Sequence, residues 1–223
     1  MPPAEAHHAL HVARLSPGDS VLLFDGCGRE MEGEVKRTTR HDVVVGVQRV
    51  RKVEEPQRKL TVAQAWLHRE KSVEALIQHG TELGVSRFVF FRGGHSERGP
   101  KFSDKWQRTA IETCKQCGRL WLPTFEIADK LDEVLETAEG SVIIATKDAP
   151  PVPIAQATGS GDVSLVVGPE GDFTDAELRL ALKSGARAIS LGGVTYRAEV
   201  AAGLAAALIL YELGELGPIL RET

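Results

Sequence analysis

The chain has 223 residues, 42% of them hydrophobic and 26% charged, with a formal net charge of −4; this is the balance of a globular protein with room for one large or two small cores. No apolar run approaches the roughly 20 residues of a membrane span, and the N-terminal MPPAEAHHALHVARL lacks a basic segment followed by an apolar one, so neither a membrane protein nor a secreted one is expected. Three cysteines cannot close a full set of internal disulfides, which favours a reducing, cytoplasmic setting.

Residues 1–60 read as a small β-rich domain. Val21–Phe24 is a strand closed by the turn dipeptide Asp25-Gly26, and Glu32–Arg37 and Val43–Val47 follow as short antiparallel strands. The second domain is expected over 61–223. Leu60–Leu67 opens it as a strand, and Lys71–Leu83 is an amphipathic helix stopped by Gly84. Arg87–Phe91 is the next strand, followed by the charged glycine loop 92–99 and a helix from Asp104 to Cys117 between Ser103 and Gly118. A helix over about Ala128–Thr137 runs into the strand Ser141–Ala145, after which the proline tract 149–153 interrupts regular structure.

The segment 164–204 carries the strongest pattern. The β-branched run Ser164–Val167 stops at Gly168-Pro169-Glu170-Gly171-Asp172, and Thr174 with Glu177 forms a capping box for a helix ending near Gly185. A second apolar run, Ala188–Leu191, breaks at Gly192-Gly193 before a long Ala/Leu-rich helix, Ala198–Leu213. Two glycine loops at strand C-termini are where an open α/β sheet binds ligands. Cys114-x-x-Cys117 is better read as a helix-packed pair than as a zinc site, which needs about four ligands where only Cys27 remains. No metal is expected.

Gly-Pro-Glu-Gly before a capped helix, then Leu191-Gly192 and Arg197-Ala198-Glu199 before an Ala-rich helix, resembles the signature of the SPOUT-class RNA methyltransferases. Within that class the chain resembles the RsmE type, the 16S rRNA (uracil-N3)-methyltransferases. Supporting patches are Glu70-Lys71, Thr81-Glu82-Leu83-Gly84, and Trp106-Gln107 with Glu112 and Gln116-Cys117-Gly118-Arg119. The sequence departs from the family pattern at Asp172, Val194, Thr195-Tyr196 and Val200.

The resemblance implies an α/β trefoil-knot methyltransferase domain preceded by a PUA-like β-barrel that helps to hold RNA. The chain begins just before the segment HALHVARLSPGDSVLLFDG, so the barrel is expected to lack a strand, or the start to be truncated. S-adenosylmethionine is the implied cofactor, the small-subunit 16S rRNA the implied substrate, and a homodimer the implied assembly. The cofactor would lie against Thr146, Gly168, Pro169, Glu170, Gly171, Ser190, Leu191, Gly192, Thr195 and Ala198. Arg197 would stabilise charge on the uracil oxygens, or else shape the loop through a salt bridge to Glu170 or Glu199. Glu199 would accept a proton or only complement the helix dipole. Residues 87–121 hold 8 basic and 3 acidic side chains, a net of +5, whereas 122–223 carry a net of −9. Lys71, Arg92, Arg98, Arg108, Gln116 and Arg119 are the expected RNA contacts, and this charge distribution suits local phosphate contacts. The alternative is a catalytically degenerate relative that keeps the fold as an RNA-binding or ribosome-assembly protein.

Overall fold

A computed structural model describes residues 3–216. The chain divides into two compact units between Glu55 and Pro56, where the sequence pattern set the division after residue 60. The first unit begins with a helix the sequence did not announce, α1 (Pro3–His11). Three antiparallel strands follow in the order β1 (Ser20–Phe24), β2 (Arg29–Thr38), β3 (Val43–Lys52). β2 and β3 each run ten residues, longer than expected. Ala6 and Ala9 of α1 meet Val35 and Val43 of the sheet in a small core. The β1–β2 turn is closed by Asp25, whose Oδ1 accepts from the backbone N–H groups of Cys27 (2.8 Å) and Arg29 (3.0 Å). The bond from Cys27 N–H is the main cause that lowers its carboxyl pKa to about 2, and the Arg29 guanidinium, with Nε 2.6 Å from Oδ2, and the Arg29 N–H add to it.

The second unit is an all-parallel sheet of six strands flanked by helices on both faces. In chain order it runs β4 (Leu60–Ala65), α2 (Glu70–Leu83), β5 (Arg87–Phe91), α3 (Asp104–Cys117), β6 (Thr124–Ala128), α4 (Leu131–Glu136), β7 (Ser141–Ala145), α5 (Ile154–Thr158), β8 (Val163–Val167), α6 (Asp175–Lys183), β9 (Arg187–Ile189) and α7 (Ala198–Glu212). In space the strand order is β6-β5-β4-β8-β7-β9. Every residue of β4 and β8 is buried, as a central strand covered on both sides requires. Side chains alternate between two cores. Phe88, Phe90, Ile143 and Leu165 pack with Ile77, Trp106 and Ile209, while Val89, Phe91, Ile144 and Val166 pack with Leu131, Val134 and Ala181.

The helix ends follow local chemistry. Gly84 and Gly118 close α2 and α3 at φ +112° and +78°, a region that costs glycine little. Ser103 Oγ accepts from Lys105 N–H at the start of α3. Thr174 and Glu177 form the reciprocal capping box of α6. One expectation is corrected. The helix over 128–137 shrinks to α4, because Thr124–Ala128 pairs in parallel with β5 as an edge strand. The proline tract 149–153 does interrupt regular structure, and after it comes the short helix α5, which Pro153 precedes; proline suits a helix start because no intrahelical donor is lost there.

Candidate active site

The chain builds outward from β4 through β5 to β6, then returns to place β8, β7 and β9 on the other side of β4. Ligands of open α/β sheets lie beyond the strand C-termini where the order reverses in this way. The loops after β4, β5, β7, β8 and β9 meet there.

The loop after β8 is held from below by Gln64, a wholly buried side chain at the end of β4. Its amide nitrogen donates to the carbonyls of Gly168 (2.7 Å), Ala65 (3.0 Å) and Val167 (3.3 Å). The loop then folds back so tightly that a Cβ on Gly168 would lie 3.1 Å from Asp172 Oδ1. Asp172 takes a left-handed conformation, φ +59°, in which an aspartate is tolerated but a glycine is freer. Its Oδ1 accepts from Phe173 N–H at 2.8 Å. Burial is the main cause that raises the Asp172 pKa, opposed by that hydrogen bond, with nearby Asp148 raising it further and Lys147 and His95 lowering it.

The loop after β9 turns at Gly192, φ +100°, whose N–H donates to Ser190 Oγ at 3.3 Å. Lys147 Nζ donates to Thr195 Oγ1 at 2.5 Å and ties this loop to the end of β7. Thr146 N–H donates to Ile189 O, and Thr146 Oγ1 accepts from Asp148 N–H. Between the two loops lies a cleft of about 360 Å³. Thr146, Gly168, Pro169, Glu170, Leu191, Gly192, Thr195 and Ala198 line it, as do Lys147, Asp172, Val194 and Arg197. Of the expected cofactor residues, Gly171 lines a neighbouring cleft instead. Ser190 supports its loop and is not a wall residue.

That second cleft, about 470 Å³, is walled by Trp66–Arg69, Ser72, His95, Glu97, Arg98, Gly171 and Glu199. It shares Glu170 and Arg197 with the first. Glu170 Oε1 accepts from His68 N–H at 3.0 Å, and Glu199 Oε1 accepts from Ser72 Oγ at 3.1 Å. Neither carboxylate pairs with Arg197, so the loop-shaping salt bridge does not form. Arg197 is exposed, and its guanidinium makes no hydrogen bond or ion pair among the described residues. His95 Nδ1 lies 3.1 Å from Asp172 O and His68 Nδ1 2.8 Å from Glu97 Oε2. Each partner can only accept, so each ring donates through an Nδ1 hydrogen.

The expected RNA contacts scatter. Arg98 is on the second cleft, and Lys71 and Arg92 are exposed near the starts of α2 and of the loop after β5. Arg108 and Gln116 line a shallow hollow between α2 and α3. Arg119 differs from the others: its guanidinium turns inward and donates to Thr81 O at 2.9 Å, and burial lowers its pKa. It stands beside the C-terminal end of α2, where a cation is favoured. Gln64, His68, Arg69 and Ser72 were missed. All of them follow or end β4, whose central position could not be read from the sequence. His7 and His11 lie one turn apart on α1 with ring centroids 4.5 Å apart and planes tilted by 48°, but no three potential metal ligands gather among the described residues.

Known proteins agree with this geometry. An RNA methyltransferase domain family matches residues 53–210, and an RNA methyltransferase PUA domain family matches residues 2–48. Ribosomal RNA small subunit methyltransferase E of Synechocystis is 28% identical over 92% of this chain and 70% of its own length. The same enzyme of Mycobacterium bovis is 29% identical over 90% of this chain and 81% of its own. The crystal structure of ribosomal RNA small subunit methyltransferase E from Neisseria gonorrhoeae, bound to S-adenosyl methionine, superposes with a TM-score of 0.81 at 25% identity, covering 95% of this chain and 90% of that one. The chain thus belongs to the RNA methyltransferase family whose domain spans residues 53–210.

Proposed function

We propose that this chain transfers the methyl group of S-adenosylmethionine to N3 of a uridine in the 16S rRNA of the small ribosomal subunit. The observation that carries this reading is the pair of clefts meeting across Glu170 and Arg197, one suited to a methyl donor and the other to a base.

The residues of the first cleft fit the donor. Val167, Leu191, Val194 and Ala201 give it apolar wall, while a Cβ on Gly192 or Gly193 would meet nothing within 4 Å, so their backbone is open to a ligand. The backbone of Leu191 and Gly192 would receive the adenine, the Gly168–Glu170 turn the methionyl half, and Asp172 would face the positive charge. The cofactor supplies a methyl group activated by sulfonium. The protein must align the acceptor and manage charge. Uracil N3 lies on the pairing edge, so the base must be unpaired or flipped to enter the second cleft. As its N3 proton leaves, negative charge spreads onto O2 and O4, and the uncommitted guanidinium of Arg197 is the donor available to it. Glu199 sits in the first turn of α7 and already accepts from Ser72, which favours the role of complementing the helix dipole. As proton acceptor His95, which lines the same cleft and is held through Nδ1 by Asp172 O, is the better candidate.

We include three further features in this reading. The C-terminus is knotted, which the return of β9 to β7 and the packing of α7 on α2, β4 and β8 support. The first unit is a PUA-like RNA-holding domain, supported by the family match over 2–48. The protein is a cytoplasmic homodimer; the exposed apolar row on α7 supports the dimer, and no helix among the described residues is long and apolar enough to cross a membrane. Transfer of a tritiated methyl group to under-methylated small subunits, followed by nucleoside mapping, tests the function. Label recovered as N3-methyluridine is expected, and label on another nucleoside or none at all overturns it.

A further inference from the structure

Past Trp66 and Arg98 the second cleft continues into a third hollow of about 460 Å³, between the starts of α2 and α3. Its floor is aromatic. Trp66 and Trp106 are buried, with ring centroids 5.9 Å apart. Phe102 leans on Trp106 at 5.2 Å with planes tilted by 59°, yet remains 56% exposed. Lys105 Nζ is 3.7 and 3.9 Å from carboxylate oxygens of Glu70 and Glu74, which neutralise it in part. Arg98 and Lys101 line the same hollow and have no carboxylate partner among the described residues.

A phenylalanine left half in water beside two uncompensated cations suits a ligand that is both flat and anionic. A nucleotide is such a ligand: its base stacks on an aromatic face while its phosphate meets arginine or lysine. The hollow shares Trp66 and Arg98 with the cleft that would take the flipped uridine. A base extruded from its stack leaves its neighbour without a stacking partner. We propose that this hollow binds single-stranded RNA, holding the nucleotide adjacent to the target uridine with its base on Phe102 and its phosphate between Arg98 and Lys101. The inference rests on the functional reading above for the nature of the substrate.

The test measures binding of the full-length protein to a short single-stranded RNA carrying 2-aminopurine, whose fluorescence is quenched by stacking. Removing one stacking aromatic costs on the order of tenfold or more in affinity. Phe102→Ala should therefore weaken binding at least tenfold and abolish the quench, Phe102→Trp should retain both, and S-adenosylmethionine affinity by calorimetry should stay within twofold. Lys101→Ala removes an exposed side chain with no partner among the described residues, so it answers the same question should Phe102→Ala unfold; it should bind several-fold more weakly. Affinities for both alanine variants within twofold of the parent overturn the platform. A loss seen only on whole subunits and never on free RNA assigns the hollow to a ribosomal protein and overturns it too. Phe102-dependent RNA binding by a protein that labels no uridine would sustain the platform while removing the methyl-transfer reading.

Discussion

Arg197 occupies the N-cap position of α7, but the helix takes no capping bond from its side chain. An exposed guanidinium with no carboxylate partner, on the wall common to both clefts, is available to developing charge in a way that a salt-bridged one is not. Removing such a donor typically lowers a rate ~10²–10³-fold. Arg197→Ala should lose single-turnover methyl transfer by that factor while S-adenosylmethionine affinity changes only a few-fold; a fall of less than tenfold would make Arg197 a loop residue. Asp172 is the reverse case, a carboxylate the fold burdens. Its pKa is raised by burial, so the folded state disfavours the ionised form. The penalty is absent below the ordinary aspartate value near ~3.9 and is complete above the raised one. Asp172→Asn should therefore stabilise the cofactor-free protein against urea at pH 7, with the gain fading as the pH falls toward ~3.9. Equal stability of the two proteins at pH 7 would refute this. Asp172→Gly fits the φ of +59° and should change cofactor affinity by less than about tenfold. Gly168 to Asp172 were legible because glycine, proline and a capping box punctuate the sequence. Gln64 was not, since a buried glutamine in an apolar strand announces no partner until β8 is known to lie beside it.

Among the elements, α7 tests the assembly. Its uniform apolarity told that it must be covered on more than one side, and the structure divides the labour. Ala202, Ala205, Ala206 and Ile209 face the core, while Val200, Leu204, Leu208 and Tyr211 form an exposed row at one-turn spacing. Leu204 and Leu208 are only 36% and 39% exposed, so covering each gains a fraction of the ~1.5–3 kcal/mol of full burial; with Val200 and Tyr211 the row still favours association. The protein should run as a dimer by light scattering at tens of micromolar. Leu204→Glu should shift it toward the monomer mass with little loss in melting temperature, because the position is already exposed in one chain. A monomer mass for the parent would refute the interface. Other elements show where pattern reading ends. β5, α3 and β7 fell at their expected bounds because apolar runs and glycine stops coincide there. β6 was hidden because an edge strand with exposed Thr124, Glu126 and Ile127 has no continuous apolar signature. The sheet order itself depends on crossovers that local periodicity does not encode.

At the scale of the whole molecule the charge is split by sequence. The +5 of residues 87–121 sits in a chain of net −4, and the structure sorts its arginines by role. Arg92 and Arg108 are exposed and make no side-chain ion pair among the described residues, whereas Arg119 is committed to Thr81. Phosphate contacts release counterions, so each one adds roughly 0.7–0.9 to the slope of log affinity against log salt. Arg92→Gln and Arg108→Gln should each lower that slope for rRNA binding by about one where the side chain meets a phosphate, with unchanged melting temperature. Arg119→Gln should do the opposite. It forfeits a hydrogen bond from a charged donor to the end of α2, a loss of about 1.5–3 kcal/mol, and should melt several degrees lower while keeping the salt slope. Titrations at salt concentrations between 50 and 200 mM, paired with thermal melts, separate the two roles. An Arg119→Gln protein that melts like the parent but loses the slope would return Arg119 to the RNA surface, and a parent whose binding ignores salt would remove the phosphate contacts altogether.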